Sequence, residues 1–100
     1  MGSAISLEQG QLAARQTTLA LLATLRQELG SLDRVKRIVR VEGFVNCPTD
    51  FTQQSQVING CSDLLIEVFG DAGRHARMAI GAGSLPLDVS VEIAMIVEVE

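Results

Sequence analysis

From Ser6 onward the chain carries apolar residues at helical spacing. Leu12, Ala14, Leu19, Leu21, Leu22, Leu25 and Leu29 form a broad stripe. Ser6 followed by Gln9 has the spacing of a capping box, in which each side chain satisfies the backbone N–H at the other position. Gly30 closes the stripe as a helix terminator. The pattern predicts a helix over residues 6–29.

The period then changes. In "RVKRIVRVEGFVN", β-branched residues and the alternation of Val39, Val41, Gly43 and Val45 predict a strand over 37–46. Gly43 in its interior marks a bulge or a close backbone approach. "CPTDFTQQ" reads as a turn, and Asp50 with Gln53 repeats the capping-box spacing. Val57, Cys61, Leu64, Leu65 and Val68 then recur at i, i+4, i+7, i+8 and i+11, which predicts a second helix that Gly70 stops. Gly60 sits inside it at a cost of about 1 kcal/mol relative to alanine, a position where another element can come close.

Residues 75–82 read as a second strand, "GSLPLD" as a turn, and 89–99 as a third strand. Val89, Val91, Ile93, Met95, Val97 and Val99 share one face of that strand, and Ala94 and Ile96 make the other face partly apolar. A strand apolar on both faces is expected to be central and covered on both sides. The element order is α-β-α-β-β, an α+β arrangement.

Composition narrows the class. One hundred residues allow one domain. A hydrophobic share of 47% in a chain this short implies apolar surface buried against other subunits. The net charge of −4 argues against a nucleic-acid partner. Arg34, Lys36, Arg37 and Arg40 do cluster, but no aromatic residues interleave with them to stack bases. The longest apolar run, "LALLATL", is too short to span a bilayer, so no membrane role is expected. Cys47 and Cys61 lack metal or disulfide spacing and read as reduced thiols of a cytoplasmic protein, Cys61 as a small core hydrophobe.

Two charges stand in the most apolar part of the chain. Arg77 shares its face with Ala79 and Gly81, which leave room beside a guanidinium, and such a fork binds a carboxylate through two parallel hydrogen bonds. A structural salt bridge, with Glu92 itself, is the alternative. Glu92 shares its face with Asp88, Ser90 and Glu98; it reads either as part of a solvated polar face or as a carboxylate that orients or deprotonates water. His75 reads as an ordinary surface or hydrogen-bonded histidine. The glycines of "GAGS" lead to a strand rather than to a helix N-terminus, so they make a poor phosphate cradle.

"HARMAIGAGSLPLDVSVEIAMIVEVE" resembles the C-terminal signature of the YjgF/YER057c/UK114 (Rid) family. Ala76-Arg77 and Val91-Glu92-Ile93 fit it with their spacing preserved. "GFVNCPTDFTQQSQVINGCSDLLIEVFGDAGRHAR" resembles one branch of that family, and "SLEQGQLAAR" is similar to its first helix. The resemblance implies a chorismate-mutase-like fold, with two helices on one face of a mixed sheet. It also implies a homotrimer with sites in the clefts between subunits.

Catalytic members of the family hydrolyse 2-imino acids or their enamine tautomers to 2-keto acids and ammonia. By that resemblance Arg77 would hold the substrate carboxylate and Glu92 would position the attacking water. No metal or cofactor is implied, because an imine carbon is already electrophilic. A non-catalytic trimer that binds small carboxylates is the other implied function. It is favoured by Met78 and Ala79, which stand where catalytic members usually have Ser and often Cys, and by the lack of the family's site tyrosine. The family's first strands precede its first helix, so residues 1–100 are expected to be one such domain without them. The strand at 89–99 would then show a long apolar edge that other chains can pair with, and a stable monomer is not expected.

Overall fold

The structure, a computed structural model, describes residues 6–100. Helix α1 spans Leu7–Leu29, strand β1 Val35–Asn46, helix α2 Gln54–Phe69, strand β2 Ala76–Ala82 and strand β3 Val91–Val99. Short 3-10 turns join them at Leu32–Arg34, Gly70–Gly73 and Pro86–Asp88.

The capping box forms as its spacing predicts. The Gln9 backbone N–H donates to Ser6 Oγ at 3.1 Å, and the Ser6 N–H donates to Gln9 Oε1 at 2.9 Å. Gly30 ends α1 at φ 83°. The second capping box does not form. Asp50 is exposed in the preceding turn, and Gln53 caps α2 without a side-chain hydrogen bond. Gln54 braces the turn instead, its Nε2 donating to the Phe51 carbonyl at 2.9 Å.

The sheet runs β2-β1-β3, with β1 parallel to β2 and antiparallel to β3. Among the described residues the central strand is therefore β1. Residues 89–99 form an edge strand, as expected without the family's first strands, and not the central strand that their apolar content alone suggested. Among the described residues β3 pairs on one side only, and Ile96 on its helix-free face is 57% exposed. Strand β1 begins at Val35, ahead of its predicted start, because register shifts between Val35 and Arg37 and between Ile38 and Arg40 interrupt the alternation there. Val89 lies before β3, in the turn where Leu87 and Asp88 take positive φ. Asn46 pins that turn, its Nδ2 donating to Asp88 Oδ1 and the Val89 carbonyl, both at 3.1 Å.

Both helices lie on one face of the sheet, α2 over β1 and β2, and α1 against α2 and β3. The core between them is built from Val41, Val45, Ile38, Val91 and Ile93 below and Val57, Ile58, Cys61, Leu64 and Leu65 above. Helix α1 contributes Gly10, Ala14, Thr18 and Leu22, a row four residues apart rather than the full leucine stripe. Leu12 and Leu19 are about half exposed, as is Val68 on α2. Close helix packing explains the selection. A Cβ on Gly60 would run into the backbone carbonyl of Gln11, so the two helices meet backbone to backbone there and the longer side chains are displaced to the flanks.

Candidate functional site

Arg77 is the second residue of β2, paired in register with Val41. Val41 is fully buried beneath the helices, and residues paired in register point to the same face of a sheet. The Arg77 side chain accordingly rises along the outer side of α2. Its Nη1 donates to Asn59 Oδ1 at 2.7 Å and to Ser62 Oγ at 3.2 Å. Asn59 and Ser62 lie one helical turn apart, so α2 offers two acceptors to one nitrogen.

Ser62 is 9% exposed and also meets His75, with Oγ 2.9 Å from Nε2. His75 Nδ1 lies 2.6 Å from the Gly73 carbonyl. A carbonyl can only accept, so in the neutral ring Nδ1 carries the proton and Nε2 the lone pair. The Ser62 hydroxyl then donates to Nε2 and accepts from Arg77. His75 is thus hydrogen-bonded, one of the roles its sequence position allowed, and its two contacts order the site.

These contacts leave the Arg77 charge unspent. Both acceptors on Nη1 are neutral, and among the described residues no carboxylate forms an ion pair with Arg77. The salt bridge to Glu92 that the sequence left open does not form. Nε and Nη2, the two donors of the guanidinium's side-on fork, have no acceptor among the described residues. Arg77 is one of the residues lining a hollow of about 220 Å³, together with Ser62, Ile66, Arg74 and His75.

Glu92 stands elsewhere. It is paired in register with Phe44, between the buried residues Val91 and Ile93, so it points to the helix-free face of the sheet. Phe44, Met78, Ile80, Ala94 and Ile96 make much of that face apolar, and an Arg40–Glu42 ion pair at 3.2 Å crosses it. Arg77 and Glu92 are therefore not brought together within one chain.

Cys61 is buried below the site, and burial pushes its thiol above the ordinary 9.0, against the hydrogen bond with Thr18 and the pull of the Arg77 charge. Cys47 is likewise buried, near a second hollow of about 260 Å³ that Gly81, Gly83 and Gln54 also line. Among the described residues no group of three or more His, Cys, Asp or Glu side chains is gathered to hold a metal, and no helix is long and apolar enough to cross a membrane. Asn59, Ser62 and Arg74 went unnoticed in the sequence. A polar Ser62 directly after Cys61 on the buried side of a helix is the signal that could have found one of them.

Comparison with known proteins places these features in context. The sequence profile of the family described as "YjgF/chorismate_mutase-like, putative endoribonuclease" matches residues 1–99. The protein named TCP17 from Trypanosoma cruzi is 46% identical over 99 residues, covering 98% of this chain and 62% of the relative. The crystal structure of Atu1372 from Agrobacterium tumefaciens, described as of unknown function, superposes with a TM-score of 0.95 at 39% identity. That match covers 98% of this chain and 62% of the other. A structure described as a "putative endoribonuclease" from Shewanella oneidensis MR-1 gives a TM-score of 0.93 at 35% identity, over 99% of this chain and 66% of that one. The chain thus spans less than two thirds of the length of each of these three relatives.

Proposed function

Since the chain belongs to the YjgF/chorismate-mutase-like family, we propose that it binds a small carboxylic acid at Arg77 and hydrolyses its 2-imino form. The observation that carries this reading is the guanidinium fork that no acid among the described residues occupies. A carboxylate accepts two parallel N–H bonds from such a fork. Asn59 and Ser62 fix the third nitrogen, so the fork is oriented before a ligand arrives and little is lost in ordering it.

The chemistry asks little more. Water adds to the electrophilic C2, a proton passes to the nitrogen, ammonia departs, and a 2-keto acid remains. A base that takes the proton from water speeds this step by about 10²–10⁴-fold. Glu92 fills that role when it comes from a second copy of the chain, because its own Arg77 lies across the sheet. The apolar helix-free face, with Ile80 41% and Ile96 57% exposed, supports an assembly of copies, a homotrimer by the family resemblance.

The test is the loss of a 2-imino acid generated in situ, followed with and without the protein. Arg77→Ala should abolish the acceleration, and Glu92→Gln should lower it by about 10²-fold or more. An Arg77→Ala protein as fast as the parent would end this assignment.

A second reading is a carboxylate-binding protein without turnover. The placement of Glu92 on the far face favours it, as do Met78 and Ala79 beside Arg77. It predicts saturable binding of 2-oxobutyrate with no change in imine lifetime. The endoribonuclease wording of the family description and of the Shewanella structure finds no support in a chain of net charge −4 whose Arg77 lines a hollow without Phe, Tyr or Trp.

A further inference from the structure

Arg74 shares the hollow with Arg77, and its own contacts are informative. Its Nε donates to Asp71 Oδ1 at 3.3 Å, an ion pair between side chains that are 69% and 100% exposed. An exposed pair of this kind is weak and is screened by salt. It also uses only Nε. Nη1 and Nη2, the end-on fork, have no acceptor among the described residues. Arg74 and Arg77 thus both line the hollow, and each guanidinium has two donors in a plane with no acceptor among the described residues. Its lining holds no carboxylate: the remaining residues are Ser62, Ile66 and His75. A single carboxylate on Arg77 leaves the second fork unmatched.

We propose that Arg74 determines specificity and that the Arg77 pocket takes a 2-oxo or 2-imino dicarboxylate, the first carboxylate on Arg77 and the distal one on Arg74. This rests on the reading of Arg77 as a carboxylate anchor and adds the substrate class. Ile66 forms the apolar wall against which the methylene carbons of such a diacid lie. Asp71 competes with the distal carboxylate for Arg74, so it sets how much of the preference is expressed.

The test is equilibrium binding of 2-oxoglutarate and 2-oxobutyrate to the same chain at low salt, by calorimetry. The diacid should bind tighter by on the order of tenfold, about what one partly exposed charge-assisted contact provides. Arg74→Ala should bring the two ligands close to equal affinity, weakening 2-oxoglutarate by on the order of tenfold and 2-oxobutyrate much less. Asp71→Asn should widen the gap. Both positions are exposed, so these variants should fold, which circular dichroism verifies. Equal affinities in the parent, or a preference that survives Arg74→Ala, would overturn the role of Arg74 while leaving Arg77 as an anchor. Binding of neither ligand, or binding that ignores Arg77→Ala, would overturn the underlying reading as well.

Discussion

Arg77 and Glu92 leave the same sheet from opposite faces. Arg77 lies opposite Val41 under the helices, and Glu92 lies opposite Phe44 on the uncovered side. A site that needs both must take them from different chains. Separate preparations of Arg77→Ala and Glu92→Gln should each be inactive toward 2-imino acids. Unfolding and refolding them together should restore part of the activity, because some mixed assemblies then pair an intact Arg77 with an intact Glu92. Mixtures that stay inactive would place the two residues in separate functions.

The uncovered face should also govern assembly. Light scattering at micromolar concentration should give a mass above the 10.7 kDa of one chain. Ile96→Lys puts a charge in the middle of that apolar face and should shift the population toward single chains. A parent protein that runs as a monomer would remove the basis for a shared site.

The chain from Gly73 through His75 and Ser62 to Arg77 predicts a tautomer. Nitrogen-detected NMR of the neutral ring should find the His75 proton on Nδ1, facing the Gly73 carbonyl. Ser62→Ala removes both the acceptor for Arg77 and the donor for Nε2, and should cost about 1 kcal/mol of stability. It should also weaken carboxylate binding severalfold by releasing the guanidinium. Ser62→Thr, which keeps the hydroxyl, should recover part of the binding. A proton found on Nε2 would contradict this ordering of the site.

Two glycines should respond differently to alanine. At Gly43 a Cβ would come within 2.6 Å of Ile58 side-chain carbons, which can shift at a cost of about 1–3 kcal/mol. At Gly60 it would meet the Gln11 backbone, which cannot move without separating α1 from α2. Urea midpoints should therefore fall further for Gly60→Ala than for Gly43→Ala.

These glycines also mark how far the sequence could be read. The capping box at Ser6, the Gly30 stop and the buried side of α2 follow from local rules and appear as expected, except that Val68 is about half exposed. Gly60 announced a close neighbour but not its identity, because a helix carries no local record of what crosses it. Two leucines of α1 misled for the same reason: Leu12 and Leu19 satisfy helical periodicity but are exposed, whereas Leu21, Leu22, Leu25 and Leu29 do pack on the core and Ala14 and Thr18 are what a tight crossing admits. Strand order was equally non-local. The apolar content of 89–99 suggested a central strand, while the family resemblance implied an apolar edge; among the described residues β3 is an edge strand. Arg77 stood out as a charge among small residues. Its anchors on α2 could not be inferred, since they depend on the register between β2 and that helix.

Cys61 offers a check on the packing around the site. Burial holds its folded-state pKa above 9.0, so the folded chain keeps the proton while the unfolded chain loses it as pH rises past that value. The thiol's contribution is fully present below the unfolded pKa and is lost as pH climbs through the folded one. Stability should therefore decline above about pH 9, and less so in Cys61→Ala once that variant's own cavity cost is subtracted. Thiol reagents should reach Cys61 only when the chain opens.

The position of β1 has a further consequence for how the chain comes into being. It leaves the ribosome before β2 and β3, the strands it pairs with, and β3 returns to it from far along the chain. Its hydrogen-bonding edges wait unmatched while α2 is being made. Folding governed by such distant pairings is slow, and the waiting strand is exposed to self-association. Yield in cells should therefore depend on temperature and on chaperone supply more than equilibrium stability alone would suggest.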